Sequence, residues 1–168
     1  MALPRKLKNM NLFSEGASYL GLAIAVTVPK LGRKLEDYRA AGMDGTVKLD
    51  QGAEAMEMEF TLAGPDRDIL RQYGKPGVAG TFLRFVGAYQ DEGTGSIDTV
   101  EITVRGRYEE LDMGEQKIGE GGEFKAKVAV AYYRLEWNGV EEIEIDVLAG
   151  VQRVGGVDRL AEITAAVS

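Results

Sequence analysis

A mainly β chain, folded as a barrel or sandwich with one or two peripheral α-helices, is predicted by three observations. Apolar residues recur mostly at period two, an Asn-Gly pair joins two long apolar runs, and only two segments carry clear helical spacing. The length of 168 residues points to one domain spanning 1–168.

Residues 1–16 read as an N-terminal arm, with Arg5, Lys6 and Lys8 forming a basic cluster. Tyr19–Val28 reads as a strand leaving at Pro29-Lys30, and Arg33–Arg39 as a short helical turn. Thr46–Leu49 is a strand candidate. In Glu54–Leu62, Met56, Met58, Phe60 and Leu62 alternate with Glu57, Glu59 and Thr61, as in a half-buried strand. Pro65 suits the start of a helix that carries Ile69, Leu70 and Tyr73 and closes at Gly74. Thr81–Gln90 and Val100–Arg105 are further strands. Lys127–Trp137, Asn138-Gly139 and Val140–Val147 form a predicted hairpin, because Asn-Gly suits a type I′ turn. A C-terminal helix is predicted over about 158–167, with Leu160, Ile163 and Val167 on one face. The Gly-rich segments Asp91–Ser96 and Gly114–Gly122 read as exposed loops. The second sets Glu115, Glu120 and Glu123 against Lys117 and is expected to stay solvated.

Two strands are apolar on both faces. Leu20, Leu22, Ile24, Val26 and Val28 line one side of the first, with Gly21, Ala23 and Ala25 on the other. In the second, Val128, Val130 and Tyr132 alternate with Ala129, Ala131, Tyr133, Leu135 and Trp137. A sheet with one wet face alternates apolar and polar residues. Double-faced strands therefore imply a sandwich core, a helix lid or a subunit interface. Leu20, Gly21, Ala23, Ala25, Tyr133 and Leu135 are the candidates for such an interface.

The chain has no Cys and no His. Thiol catalysis, disulfides, thiolate metal sites, the Ser-His-Asp triad and HExxH zinc chemistry are thereby excluded. A net charge of −7 disfavours stable nucleic-acid binding. Gly114 and Gly119 have P-loop spacing, but Glu120 stands where a phosphate-binding Lys belongs. Asp91, Glu92 and Asp98 match no EF-hand spacing and read as a solvated turn. No catalytic, cofactor or metal residue is assigned, and the chain reads as a non-enzyme. The apolar run Ala17–Val28 is interrupted in its approach by Glu15 and has its Ala-x-Ala inside it, so it reads against a signal peptide and for cytoplasmic synthesis. Residues 1–50 carry a net +3 and the rest −10, suggesting either a solvated basic arm or contact between copies of the chain.

The order of several segments resembles the phage major tail tube (FII) family of contractile tails. They are MALPRKLKNMNLF at the start, Pro29-Lys30-Leu31, Arg39 with Gly42-Met43-Asp44-Gly45, and Arg84-Phe85-x-Gly87-x-Tyr89-Gln90. Arg105-Gly106-Arg107, Glu144-Ile145-Asp146 and Gly156-Val157-Asp158-Arg159-Leu160 continue the likeness. The sequence looks particularly similar to the tube subunits of R-type pyocins. Leu148-Ala149-Gly150 and the Val167-Ser168 ending depart from the family pattern.

The resemblance implies hexameric rings that stack into a hollow tube, driven through a target envelope by a contracting sheath. The bore conducts DNA in a phage or ions in a pyocin. The implied partners are other copies of the chain, the tail sheath, and baseplate and tail-terminator proteins; no cofactor is implied. The particle is a virion tail or a released pyocin. Arg5, Lys6, Lys8, Arg39 and Asp44 become inter-ring candidates, and Glu57, Glu59 and Glu101 lumen candidates. The alternatives are the tube of a type VI-like injection system and a monomeric small-molecule-binding β-barrel.

Overall fold

A computed structural model describes residues 1–168. Its spine is a long antiparallel hairpin of β8 (Ile97–Asp112) and β9 (Phe124–Trp137). On one side of β8 follow β7 (Thr81–Asp91), β1 (Arg5–Ser14) and the short β2 (Ala17–Ser18). On the other side β9 forks. Its first half, Phe124–Val130, pairs with β6 (Met56–Leu62), which in turn pairs with β3 (Ala23–Thr27). Its second half, Tyr132–Trp137, pairs with β10 (Val140–Asp146). The sheet continues through β11 (Val151–Val154) and β12 (Val157–Asp158).

Alternation builds the core. Met56, Met58, Phe60 and Leu62 of β6 meet Phe124, Ala126 and Val128 of β9, with Leu83, Phe85, Ile102, Val104 and Leu12 completing it. Fully burying a side chain such as Phe60 or Leu12 contributes about 1.5–3 kcal/mol. The sheet curls so that β3 approaches β1, with the Tyr19 N–H bonded to the Leu12 carbonyl. α1 (Arg67–Gln72) covers one end, capped by Asp66, whose carboxylate accepts from the Ile69 N–H at 3.0 Å and from the Tyr19 hydroxyl at 3.2 Å. Ile69 is its buried anchor, whereas Leu70 and Tyr73 are exposed. The Asn138-Gly139 turn forms as predicted, with φ of 49° and 80°, the positive values a type I′ turn requires.

Four local expectations are corrected. Residues 5–14 are not a free arm: β1 pairs with β7 from Arg5–Asp91 to Ser14–Leu83. Arg33–Arg39 is no helical turn, because Arg33–Tyr38 forms β4, paired with β5 (Val47–Ala53) in a separate two-stranded sheet. Partner pairing here overrides the weak strand propensity of Arg-Lys-Leu-Glu-Asp. The Tyr19–Val28 strand shortens to β3, since Tyr19–Leu22 turn to enter it. The C-terminal helix shortens to α2 (Ala161–Ala166), because Val157–Asp158 pair as β12; α2 is tied down by the Thr164 hydroxyl donating to the Gly150 carbonyl at 2.7 Å.

The start of β1 is clamped by charge. Arg5 bonds Asp98 and lies 3.9 Å from Asp91. Backbone N–H groups, first that of Thr94, hold the Asp91 carboxyl below its ordinary range; the Asn138 amide and then Arg5 do the same for Asp98. The clamp's contribution is therefore complete above the ordinary aspartate pKa of about 3.9 and is lost as pH falls through the depressed values. Backbone order parameters of Arg5–Leu7 should hold on acidification from pH 6 to about pH 4 and fall only below it, in advance of those of β9. Equal loss in both strands would show that no local clamp exists.

Candidate assembly surfaces

The apparent double faces have local causes. On β9 the inward set is Phe124, Ala126, Val128 and Val130, then Tyr133 and Leu135. Parity changes because Gly106 opposes Val130 while Arg105 opposes Tyr132, leaving Ala131 as the extra residue of a bulge. Tyr133 is 4% exposed and Leu135 packs against the core, so both face inward in the single chain rather than outward. A second bulge between Ala23 and Ala25 turns Ala23 and Val26 toward the core and leaves Leu22, Ile24 and Ala25 outside. Ala23 is thus corrected from interface to core-facing. Leu20, Leu22 and Ile24 remain uncovered at 65%, 46% and 52% exposure, with Gly21 at φ 82° shaping the turn between them.

Uncovered apolar surface recurs on the β4–β5 hairpin. Tyr38 opposes Val47, and Leu49 opposes Glu36, and all three apolar side chains are exposed. The hairpin is held at its base by Arg33, which pairs with Asp50 at 2.9 Å and bonds Gln152 at 3.2 Å. Its tip carries two candidates, Arg39, whose guanidinium donates to the Met43 carbonyl, and Asp44. The other basic candidates lie elsewhere, on β1: Arg5 and Lys8 are engaged within the chain, Lys8 with Glu92, and Lys6 is exposed.

The three acidic candidates do not form one cluster. Glu59 opposes Lys127, which opposes Glu110, and Glu57 lies 3.4 Å from Lys127. Glu101 lies nine residues along β8 from Glu110, roughly 30 Å of strand at about 3.3 Å per residue. Its neighbours in register are Glu136 of β9 and Glu141 of β10, so three carboxylates stand side by side on the outward face. Each is met by an arginine: Arg84 at 3.7 Å from Glu101, Arg134 at 2.9 Å from Glu136 and Arg153 at 3.8 Å from Glu141. The adjacent row runs Phe13, Arg84, Thr103, Arg134, Glu144, Arg153, Asp158 across seven strands. Glu144 accepts from the Tyr132 hydroxyl at 2.6 Å and bonds Arg153; the Tyr132 bond chiefly holds its carboxyl below the usual range. Burial, then Glu144, pushes the Tyr132 hydroxyl up to about 12. Sequence reasoning missed Glu136, Glu141 and the arginines. They lie on β7, β9, β10 and β11 and come together only through the register of those strands with β8.

The barrel's interior is filled by side chains, and apolar surface is left uncovered at the β3 edge and on the β4–β5 hairpin, features that fit a structural protein rather than a ligand-holding barrel. The model of the phage tail tube protein FII family matches residues 4–167. The chain is 48% identical over 165 residues to the tail tube protein of Escherichia phage P2, covering 96% of each. It is 34% identical over 158 residues to the major tail tube protein of Serratia phage KSP20, covering 93% of this chain and 91% of that protein. The chain belongs to the phage tail tube protein FII family, and is a structural subunit of a tail tube rather than an enzyme.

The fold is shared with proteins of contractile injection systems. One match is in the PVC sheath/tube terminator in its extended state, with a TM-score of 0.55 and 8% identity over 79% of this chain and 96% of that one. Another is in the anti-feeding prophage baseplate, with a TM-score of 0.53 and 11% identity over 81% and 97%.

Proposed function

We propose that six copies of the chain close into a ring and that rings stack into the hollow inner tube of a contractile phage tail. The observation that carries this reading is the uncovered apolar surface at Leu20, Leu22 and Ile24 and on the β4–β5 hairpin. Small monomers rarely leave such surface to water, and heterologous contacts of this kind close into rings or extend into filaments. The β3 edge makes the lateral contact. The hairpin, with Arg39 and Asp44 at its tip, reaches the next ring. The face bearing Glu101, Glu136 and Glu141 lines the bore, whereas the Glu57–Glu59 end of the sheet, interleaved with lysines, lies away from it. A wall on which Arg84, Arg134 and Arg153 are each met by a carboxylate lets a phosphate backbone pass with little grip.

Sheath, baseplate and terminator proteins are the partners at the outer wall and the two ends of the tube. Both sequence relatives come from phages, which favours a DNA conduit over the ion path of a headless pyocin. The likeness to injection-system proteins is one of fold alone. A cryo-electron microscopy reconstruction of tubes grown from the purified chain tests the whole arrangement. Six-fold rings with Glu101 on the bore wall are expected. A protein that stays monomeric at all concentrations would sink the tube reading, and a bore lined by Glu57 and Glu59 would reverse the assignment of faces.

A further inference from the structure

On the outward face, beyond the Arg84–Thr103–Arg134 row, lies an open groove of about 610 Å³ lined by Phe82, Arg105, Tyr132, Arg134, Asp146 and Leu148. Phe82, Tyr132 and Leu148 supply its apolar part, and Leu148 stands 70% exposed. Arg134 and Asp146 already have partners: Arg134 pairs with Glu136, and Asp146 accepts from the Leu148 and Ala149 N–H groups. Arg105 is different. It makes no ion pair and rests over the Phe82 ring, 5.6 Å from its centroid, with its guanidinium free for an anion.

Elsewhere the loop between β8 and β9 presents a matching shape. Ile118 at its tip is fully exposed, and Glu115 and Glu120 flank it. Glu120 is partly neutralised by Lys117 at 3.2 Å, whereas Glu115 has no cationic partner. An apolar knob between carboxylates fits the Phe82–Tyr132–Leu148 part of the groove, beside an unpaired arginine, in both hydrophobicity and sign of charge. The match is not made within one chain. The loop springs from Asp112, seven residues of β8 beyond Arg105, roughly 23 Å of strand at about 3.3 Å per residue, and runs away from the groove.

We propose that the Gly114–Gly122 loop of one copy seats Ile118 in the Phe82–Tyr132–Leu148 groove of a second copy, with the loop carboxylates facing Arg105. This contact rests on the reading that copies stack into a tube, and adds a second point of engagement besides the β4–β5 hairpin. It gives a solvated, glycine-rich loop a role in holding rings in register.

The absence of cysteine makes the test direct. The Ile118→Cys/Leu148→Cys double variant is assembled, treated with a short bismaleimide and run on denaturing gels. A ladder of covalently joined chains is expected from tubes, and none from either single variant or from dilute monomer. Intact tubes that yield no ladder overturn the contact while leaving the tube reading standing. Charge reversal gives a second arm on chains without cysteine. Arg105→Glu should raise the threshold concentration for tube growth about tenfold, and adding Glu115→Lys and Glu120→Lys to the same chain should restore it. An Arg105→Glu threshold that is unchanged, or that the loop reversal fails to restore, also overturns the contact. Wild-type protein that forms no tubes at all counts against the tube itself.

Discussion

Gly106→Ala is expected to destabilise the chain by about 3 kcal/mol or more, the upper range for overpacking a tight site. A Cβ at this position would lie 2.0 Å from the Ala129 carbonyl oxygen, 2.9 Å from its carbon and 3.0 Å from Val130 Cα. All three are backbone atoms, so no rotamer change relieves the clash; β9 itself has to move. Gly106 also sits at the bulge where β8 and β9 shift register, the point that sets which side chains of β9 face inward. Urea midpoints at constant m-value measure the loss. Gly121→Ala is the control: a Cβ there meets nothing within 4 Å, so its effect should stay within about 0.5 kcal/mol. Equal midpoints for the two variants would show that the close approach at Gly106 relaxes without cost.

The Leu22→Lys/Ile24→Lys variant is expected to fold normally and to form no tubes. Both side chains are solvent-exposed in the single chain, so the monomer's midpoint should move by no more than about 0.5 kcal/mol per site. In a ring contact the two ammonium groups lose water without gaining a partner, at an effective cost of several kcal/mol per ion, repeated at every interface. Electron microscopy combined with thermal unfolding separates the effects. Tubes of normal yield would remove the β3 edge from the lateral contact. Ala23→Arg does not report on that contact, because Ala23 packs against the core and its replacement should lower monomer stability instead.

Much of the β architecture was legible because strand alternation is a local property. Met56 to Leu62, Thr81 to Gln90 and the Asn138-Gly139 hairpin carry their structure in adjacent residues: period-two burial in the first two, positive φ in the third. The resemblance rested on segments spread through the chain, and the family match over residues 4–167 bears it out. The assembly residues were less legible. Tyr133 and Leu135 looked like an outward apolar face only because strict alternation was carried through Ala131, where the bulge resets it.

The sequence by itself determined the β class, the principal turns, the absence of Cys and His chemistry and the family. The first three follow from composition or from neighbours within a few residues, and the family from the order of segments along the whole chain. The tertiary structure decided which strand meets which: that β1 lies along β7, that β9 forks between β6 and β10, and that Arg33–Tyr38 is a strand at all. It also decided that Glu101 stands with Glu136 and Glu141 rather than with Glu57 and Glu59. A strand's period fixes two faces but neither its partner nor its register, and one extra residue at a bulge exchanges the faces from there on. Those choices are made by the packing of distant segments around a shared core, and so appear only once the chain is folded.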